Sequence, residues 1–192
     1  YIYEPELWQQ PDMSLRHYDF LKECLISLRA DLKDLGLTLV TKTGDTLEIL
    51  QSIHERHTVK SIWSHQETWN RWTYQRDIRV KQWALTNNIQ WHEPAQNGVV
   101  RNIRTRNGWS ANWNKEMRKT ASIINTITGV VNEGSDTTPS LKQLRLSGDS
   151  CRSRQPGGRL EAQTLLKTFL YERGEDYSKE MSSPVTAFDS CS

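Results

Sequence analysis

Long apolar runs and cysteines are both scarce in this sequence. No apolar stretch approaches the roughly 20 residues of a membrane-spanning helix, and the mean hydropathy is −0.73. The three cysteines, Cys24, Cys151 and Cys191, are odd in number and widely spaced. They predict neither a disulfide framework nor a metal site. We therefore expect a soluble, intracellular protein that is monomeric and does not contact a membrane.

Motifs for phosphate binding, metal binding and nucleophilic catalysis are also missing. The sequence has neither GxGxxG nor GK[ST], so no phosphate loop is predicted. His54, His57 and His92 lack the spacing of metal ligands, and no Ser/His/Asp or Cys/His arrangement is evident. The net charge of +2 is too small to indicate nucleic-acid binding by the chain as a whole, so any basic surface must be local. Read alone, the residues contain no catalytic motif and no metal site.

Extended and helical patterns alternate over the first 92 residues. Strands are predicted at 1–3, 37–40, 59–63 and 90–92, and helices at 14–34, 46–57 and 69–87. This alternation is typical of βαβ units and predicts an α/β, Rossmann-like parallel sheet with helices on both faces. Eight tryptophans indicate a packed domain, because disordered chains are poor in aromatic residues.

The pattern changes after residue 98. A short helix is predicted at 111–119, residues 129–157 have the composition of a linker, and an amphipathic helix runs from 158 to about 173. We predict an α/β domain at 1–100, a connector with a flexible linker at 101–156, and the start of a helical domain at 157–192. The chain begins inside a predicted strand and ends without a terminating feature, so we expect a fragment of a longer protein.

Polar segments follow three of the predicted strands, at 4–6, 43–45 and 65–67. Ligands of open parallel sheets bind beyond the carboxyl ends of the strands. Gln66 and Glu67 can hydrogen-bond a heteroaromatic ring, on which Trp69 or Trp72 could stack. In the alternative, Glu67 helps to cap the next helix and the tryptophans belong to the core. Asp45 is predicted to be a helix N-cap.

Two charged segments leave alternatives open. Arg76 and Asp77, mid-helix, predict a solvated face or an intramolecular ion pair. A second segment mixes basic and aromatic residues, which is typical either of a nucleic-acid surface or of a segment that docks another domain; its members are Arg101, Arg104, Arg106, Trp109 and Trp113.

The order of these motifs resembles the photolyase/cryptochrome family. The resemblance runs over most of the chain except about 120–155. Its residues are Tyr3-Glu4-Pro5-Glu6, Gly44-Asp45, Ser64-His65-Gln66-Glu67, Thr73-Tyr74-Gln75-Arg76-Asp77, Asn97-Gly98-Val99-Val100-Arg101, Gly108-Trp109-Ser110, Gly157-Gly158, Ala162, Leu166, Phe169-Leu170, Arg173, Tyr177, Met181-Ser182-Ser183-Pro184 and Ser190-Cys191-Ser192.

The resemblance implies an α/β antenna domain, a connector and an all-helical domain that holds FAD. In the family, reduced FAD absorbs blue light and donates an electron to a pyrimidine dimer flipped out of DNA. A folate, deazaflavin or flavin antenna chromophore can occupy the α/β domain. It implies an antenna pocket at Gln66, Glu67 and Asn70, and contacts to the FAD phosphates from Tyr177, Ser190, Cys191 and Ser192. Cys191 departs from the family, which often has threonine there.

The resemblance leaves three functions to compare. The first is a photolyase that splits pyrimidine dimers in DNA, the second is a cryptochrome-type photoreceptor without repair activity, and the third is a stand-alone α/β nucleotide-binding module. The family's first strand, which is central in its sheet, is missing from this sequence. We therefore expect unpaired neighbouring strands, and we expect that this polypeptide alone neither binds FAD tightly nor repairs DNA.

Overall fold

The structure is a computed structural model that describes residues 1–96, 98–120, 131, 133–148, 151, 153–183 and 185. The chain forms two compact units. Unit 1 comprises Tyr1–Met13, Val40–Thr128 and Glu133–Leu146, and unit 2 comprises Ser14–Leu39, Gly129–Asn132 and Ser147–Ser192. The domain boundaries at 100 and 156 stay predictions.

All the described strands lie in unit 1 and pair in parallel. They are β1 (Ile2–Tyr3), β2 (Lys42–Thr43), β3 (Ser61–Trp63) and β4 (Gln90–His92). β1 pairs with β2, with Tyr3 opposite Thr43, and β3 pairs with β4, with Trp63 opposite His92. Among the described residues no ladder joins the two pairs. The α/β class with parallel strands is confirmed.

Eight α-helices are described, and one segment of π-helix. In chain order the helices are α1 (Pro5–Trp8), α2 (Leu15–Asp34), α3 (Thr46–His57), α4 (Arg71–Thr86), α5 (Trp109–Met117), α6 (Leu141–Leu144), α7 (Arg159–Thr168) and α8 (Tyr177–Glu180), and the π-helix spans Phe169–Arg173.

The long helices of unit 1 begin at side-chain caps. The Asp45 carboxylate accepts hydrogen bonds from the backbone N–H groups of Leu47 and Glu48, at 2.8 and 3.2 Å, so its predicted role as N-cap is confirmed. Asn70 caps α4 by accepting from the Thr73 N–H at 2.9 Å, and the Thr73 side chain accepts from the Asn70 N–H. This reciprocal capping box satisfies two donors that the first turn leaves open.

The structure differs from the sequence expectation at four described elements, which are β2, α1, α6 and α8. The strand predicted at 37–40 was wrong: the ladder with β1 begins at Lys42, because residues 37–40 precede those that lie opposite Ile2 and Tyr3. α1 was not predicted. Pro5 stands at the first helical position, where its missing N–H costs no hydrogen bond and its fixed φ suits a helix.

Residues 133–136, named here the strap, lie along β2. The backbone N–H of Thr41 donates to the Ser135 hydroxyl at 2.9 Å, and that of Thr43 donates to the Asp136 carboxylate at 2.9 Å. The Asp136 N–H in turn donates to the Thr41 carbonyl at 2.7 Å. The strap thus occupies backbone groups that an edge strand would otherwise present for pairing. This part of the predicted flexible linker is held to unit 1.

Glu133 fixes the start of the strap to α3. Its carboxylate accepts two hydrogen bonds from Arg56 at 3.0 Å and lies 2.6 Å from His57 Nε2 and 3.8 Å from Lys42 Nζ. The Arg56 hydrogen bonds hold the pKa of Glu133 below its ordinary value.

In unit 2, residues 154–158 pack closely against α2. Arg154 pairs with Glu23, whose carboxylate also accepts from the Gly157 N–H at 2.7 Å. The Arg154 hydrogen bonds, with the Gly157 N–H next, lower the pKa of Glu23 to about 2. A Cβ on Gly157 would lie 2.3 Å from the Phe20 carbonyl oxygen, so this approach requires glycine.

The last described helices of unit 2 contain a local irregularity. α7 continues without interruption into the π-helix, and Gly174 follows with its N–H donating to the Phe169 carbonyl at 2.8 Å. The Phe169 and Tyr177 rings then meet edge to face, with centroids 5.4 Å apart. The irregularity therefore determines where Tyr177 lies relative to α7.

Candidate functional site

The residue that follows β1 is a buried carboxylate. Glu4 is 4% exposed, accepts a hydrogen bond from the Thr46 hydroxyl, and accepts another from Arg76 Nη1 at 2.7 Å. Burial of a carboxylate is costly unless it is paired and hydrogen-bonded. Glu4 meets both conditions, so the carboxyl end of β1 is joined to α3 and α4.

The ionic chain extends from Arg76 through Asp77 to Arg101. Arg76 lies 2.9 Å from Asp77, which is 7% exposed and lies 2.5 Å from Arg101 Nη2. Arg101 also contacts Glu93 at 3.3 Å. Burial alone would lower the pKa of Arg76, but the hydrogen bonds to Glu4 and Asp77 outweigh it and raise that pKa. The predicted intramolecular ion pair of Arg76 and Asp77 is confirmed.

Arg101 has a structural role that the sequence did not indicate. Its Nε donates to the Glu67 carbonyl at 2.5 Å, and its guanidinium lies 5.9 Å from the Tyr74 ring centroid. These contacts join the segment after β4 to the loop after β3 and to α4. Arg101 is therefore paired within the protein and is not available at the surface beside Arg104 and Arg106.

A cleft of about 350 Å³ opens beside the carboxyl end of β3. Its walls include Trp69 and Tyr74, which are both exposed, and its polar groups come from Glu67, Asn70 and Arg101. Two partly exposed rings and a guanidinium can hold a planar heteroaromatic group by stacking and by cation–π contact. The volume lies in the range usual for small-molecule sites.

Two of the three residues predicted for an antenna pocket line this cleft. Glu67 accepts from the N–H groups of Thr68 and Trp69 through Oε1, at 2.8 and 3.1 Å, and no described residue bonds its Oε2. It shapes the loop before α4, whereas Asn70 is the cap. Gln66 is not among the lining residues: its N–H donates to the Pro94 carbonyl at 3.0 Å. The role of these residues in ligand binding stays a prediction.

The amide of Asn70 is already engaged by the protein. Its oxygen caps α4, and its nitrogen donates to both carboxylate oxygens of Asp12 at 3.1 and 3.0 Å. Asn70 thus positions Trp69 and Arg71 at the mouth of the cleft and has little capacity left for a ligand.

A second, smaller cleft of about 240 Å³ lies beyond β1 and β2. Glu4, Glu6, Gly44, Asp45 and Trp72 line it. Its carboxylates disfavour a phosphate group. Trp69 and Trp72, which the sequence offered as alternative stacking residues, therefore lie in different clefts. In the core alternative both of these tryptophans would be buried, but Trp69 is 51% exposed.

The predicted contacts to FAD phosphates are described in part. Tyr177 begins α8 and is 38% exposed, with its ring against Phe169. Ser190, Cys191 and Ser192 lie outside the described residues. Leu160, Leu166, Leu170 and Tyr171 line an apolar groove of about 390 Å³ on α7 and the π-helix.

Sequence reasoning missed Tyr74 and Arg101 as lining residues. Tyr74 follows Asn70 by one helical turn, a signal that places both on one face of α4. Arg101 gave no comparable signal, because its partners lie 24 and 34 residues away.

The described part of the chain contains neither a membrane-spanning helix nor a cluster of metal ligands. There, no helix has the length and apolarity to cross a bilayer, and no three His, Cys, Asp or Glu side chains converge as metal ligands would.

Comparison with known proteins identifies the family of the chain. The model of the DNA photolyase family matches residues 1–122, which include β1 to β4 and both clefts. The chain belongs to the DNA photolyase family. No curated protein matches the chain.

Two solved structures are similar in fold. One is a bacterial class III photolyase from Agrobacterium tumefaciens, with 16% identity, a TM-score of 0.66, and coverage of 97% of this chain and 42% of that one. The other is an archaeal photolyase from Sulfolobus tokodaii with two FAD molecules, with 19% identity, a TM-score of 0.56, and coverage of 93% and 40%. The chain spans about two-fifths of the length of either photolyase.

Proposed function

We propose that the protein is a blue-light flavoprotein that splits pyrimidine dimers in DNA by electron transfer from reduced FAD. The observation that carries this proposal is the match of the DNA photolyase family model to residues 1–122. In this proposal residues 1–100 are the scaffold of an antenna domain, and residues 157–192 begin the part that holds FAD.

Blue-light-dependent repair is the direct test. The cellular protein that carries these residues is mixed with an oligonucleotide containing a thymine dimer, reduced and illuminated, and the loss of dimers is measured by chromatography. We expect loss in the light and none in the dark. Flavin photoreduction without loss of dimers would instead identify a cryptochrome-type photoreceptor and contradict the repair proposal.

We propose further that the cleft beside β3 holds the antenna chromophore, a folate, deazaflavin or flavin. Trp69 and Tyr74 would stack on its ring, and Glu67 Oε2 would accept a hydrogen bond from a ring N–H. The chromophore supplies light absorption at this site. The residues orient it and keep water from one of its faces.

Titration of the 192-residue chain with each of the three chromophores tests the cleft. Binding is followed by quenching of tryptophan fluorescence. Trp69→Leu is expected to weaken binding about tenfold, which corresponds to the loss of about 1.4 kcal/mol of ring contact. Trp63→Leu is the matched control, because Trp63 is exposed and does not line the cleft. Equal weakening by both variants would contradict the assignment.

We propose that Tyr177 contacts the FAD phosphates through its hydroxyl group. The partial exposure of Tyr177 and its fixed ring, held edge-on by Phe169, support this role. In the cellular protein, Tyr177→Phe should weaken FAD retention and leave the tryptophan emission of unit 1 unchanged. Unchanged FAD retention would contradict this role.

The 192-residue chain alone is not expected to retain FAD. Tyr177 is the one described residue proposed to contact it, and a single hydroxyl cannot hold a dinucleotide. Purified chain should therefore lack the visible absorption of flavin. A stoichiometric flavin spectrum would contradict this expectation.

A further inference from the structure

Residues 98–119, named here the basic-aromatic segment, carry an excess of positive charge. The segment contains six lysines and arginines and one carboxylate, Glu116. Arg101 is committed to Asp77 and Glu93, and Lys119 pairs with Glu116 at 2.5 Å. The remaining cations are exposed and have no carboxylate partner among the described residues; they are Arg104, Arg106, Lys115 and Arg118. The chain as a whole has a net charge of only +2, so this surface is locally basic.

Two tryptophans of α5 are exposed and held in place. Trp109 Nε1 donates to the Gly98 carbonyl at 3.0 Å, and the Trp113 ring lies so close to Gly98 that a Cβ there would be 2.0 Å from it. Both residues remain about 40% exposed, 41% for Trp109 and 40% for Trp113. Rings fixed on one side and open on the other can stack on a base without first losing much side-chain freedom.

A groove of about 340 Å³ adjoins these rings. Val99, Val100 and Ile103 form its apolar floor, and Trp109 and Arg106 form its sides. The groove thus combines an apolar surface, one indole and one unpaired guanidinium. This combination suits a nucleobase joined to a phosphate.

We propose that the basic-aromatic segment binds single-stranded DNA, with a base against Trp109 in the groove and phosphates against Arg104 and Arg106. A single strand is favoured over a duplex, because stacked and paired bases do not expose a face to an indole. Positive charge without internal partners complements the phosphate backbone and disfavours an apolar or basic protein partner. The inference goes beyond the proposed function, because it needs neither a dimer, a flavin nor light.

The test is dark binding of a fluorescein-labelled oligodeoxythymidine, never exposed to ultraviolet light, to the 192-residue chain. Fluorescence anisotropy gives the dissociation constant between about 50 and 200 mM salt. We expect binding that weakens as salt rises. Arg104→Gln with Arg106→Gln should lower the slope of log K against log salt by about 1.4, since each contact of a single strand contributes about 0.7.

The matched control removes the same charge elsewhere. Arg29→Gln with Lys33→Gln alters two exposed cations of α2, and we expect the salt slope to stay within error of the unaltered chain. A third variant, Ile103→Glu, puts a carboxylate into the groove at a residue that is 45% exposed. It should weaken binding while the circular dichroism spectrum stays unchanged.

Four results would overturn the proposal. They are salt-independent or undetectable binding, an equal loss of slope in the control pair, competition by thymidine monophosphate as strong as that by the strand, and self-association of the chain that Ile103→Glu abolishes. The third would indicate a mononucleotide site, and the fourth would indicate that a second copy covers the groove. Because the assay is dark and free of flavin, its failure leaves the repair proposal intact.

Discussion

The two strand pairs of unit 1 are alike in length and direction but differ in their surroundings. At the carboxyl end of β1, Glu4 is buried in an ionic chain, and the strap occupies backbone groups of β2 and the residue before it. β3 instead exposes Trp63, 70% accessible and stacked on His92, and ends beside the larger cleft. One pair is closed by polar contacts within the protein, whereas the other presents aromatic surface. The comparison indicates that polar contacts within the protein stabilise the first pair, whereas the second pair adjoins exposed aromatic surface and the cleft proposed to bind a chromophore.

Loss of the ionic chain should have the largest effect. Arg76→Leu leaves the buried carboxylates of Glu4 and Asp77 without this partner, and we expect it to lower the free energy of unfolding by about 3–5 kcal/mol. Arg79→Gln is the control, since Arg79 pairs with Asp45 at the surface and should change it by less than about 1 kcal/mol. Urea denaturation measures both. Similar losses of free energy in the two variants would mean that the buried ionic chain stabilises the fold no more than a surface ion pair does.

Loss of the strap should have the next largest effect. Ser135→Ala removes the acceptor of the Thr41 N–H, and Thr41 is 2% exposed. An unsatisfied buried donor costs about 1–3 kcal/mol. Thr138→Ala, at an exposed residue, should stay within about 0.5 kcal/mol of the unaltered chain. If both variants unfold at the same urea concentration, the strap does not protect β2.

Truncation of an aromatic side chain on the second strand pair should lower the free energy of unfolding by less. Trp63→Thr removes an exposed ring and its stacking on His92, so we expect a loss of about 1 kcal/mol or less. Tyr3→Thr, at the corresponding position of β1, removes a ring that is 2% exposed and should cost about 3–5 kcal/mol. Thermal unfolding followed by circular dichroism compares the two. Equal costs would remove the distinction between the pairs.

The pH dependence of the strap should be the smallest effect, because water screens the exposed Arg56 guanidinium with which Glu133 pairs. The pKa of Glu133 is lower in the folded state than in the unfolded state. Its contribution is therefore complete above the unfolded-state pKa and is lost as pH falls through the folded-state pKa. The melting temperature should fall less steeply in acid for Glu133→Gln than for the unaltered chain. Parallel curves would contradict this.

Local sequence signals predicted the longer helices well. Asp45, the spacing of apolar residues in α2 and the polar residues before α4 are encoded within a few positions of the elements they define. The ladder of β2 was displaced from the apolar run at 37–40, because register depends on which residues lie opposite β1, and an apolar run carries no such information.

Long-range polar contacts escaped prediction for the same reason. Arg101 looked like part of a basic surface, yet its partners on α4 and in the loop after β3 are brought to it only by folding. Gln66 and Glu67 are adjacent in sequence, but backbone pairing with Pro94 separates their roles. The tendency of ligands to bind beyond the carboxyl ends of parallel strands predicted where the cleft lies. It did not predict which residues line the cleft.

The π-helix at Phe169–Arg173 accommodates about one residue more in a turn than an α-helix does. If the same residues formed a regular α-helix, the extra residue would rotate the side chains that follow by about 100° about the axis. Tyr177 would then leave the edge of Phe169 and face another direction. Removal of one residue, in contrast, would let the stretch close into a regular helix and leave those directions nearly unchanged. In this stretch the backbone hydrogen-bond pattern, as much as residue identity, sets where the tyrosine hydroxyl is delivered.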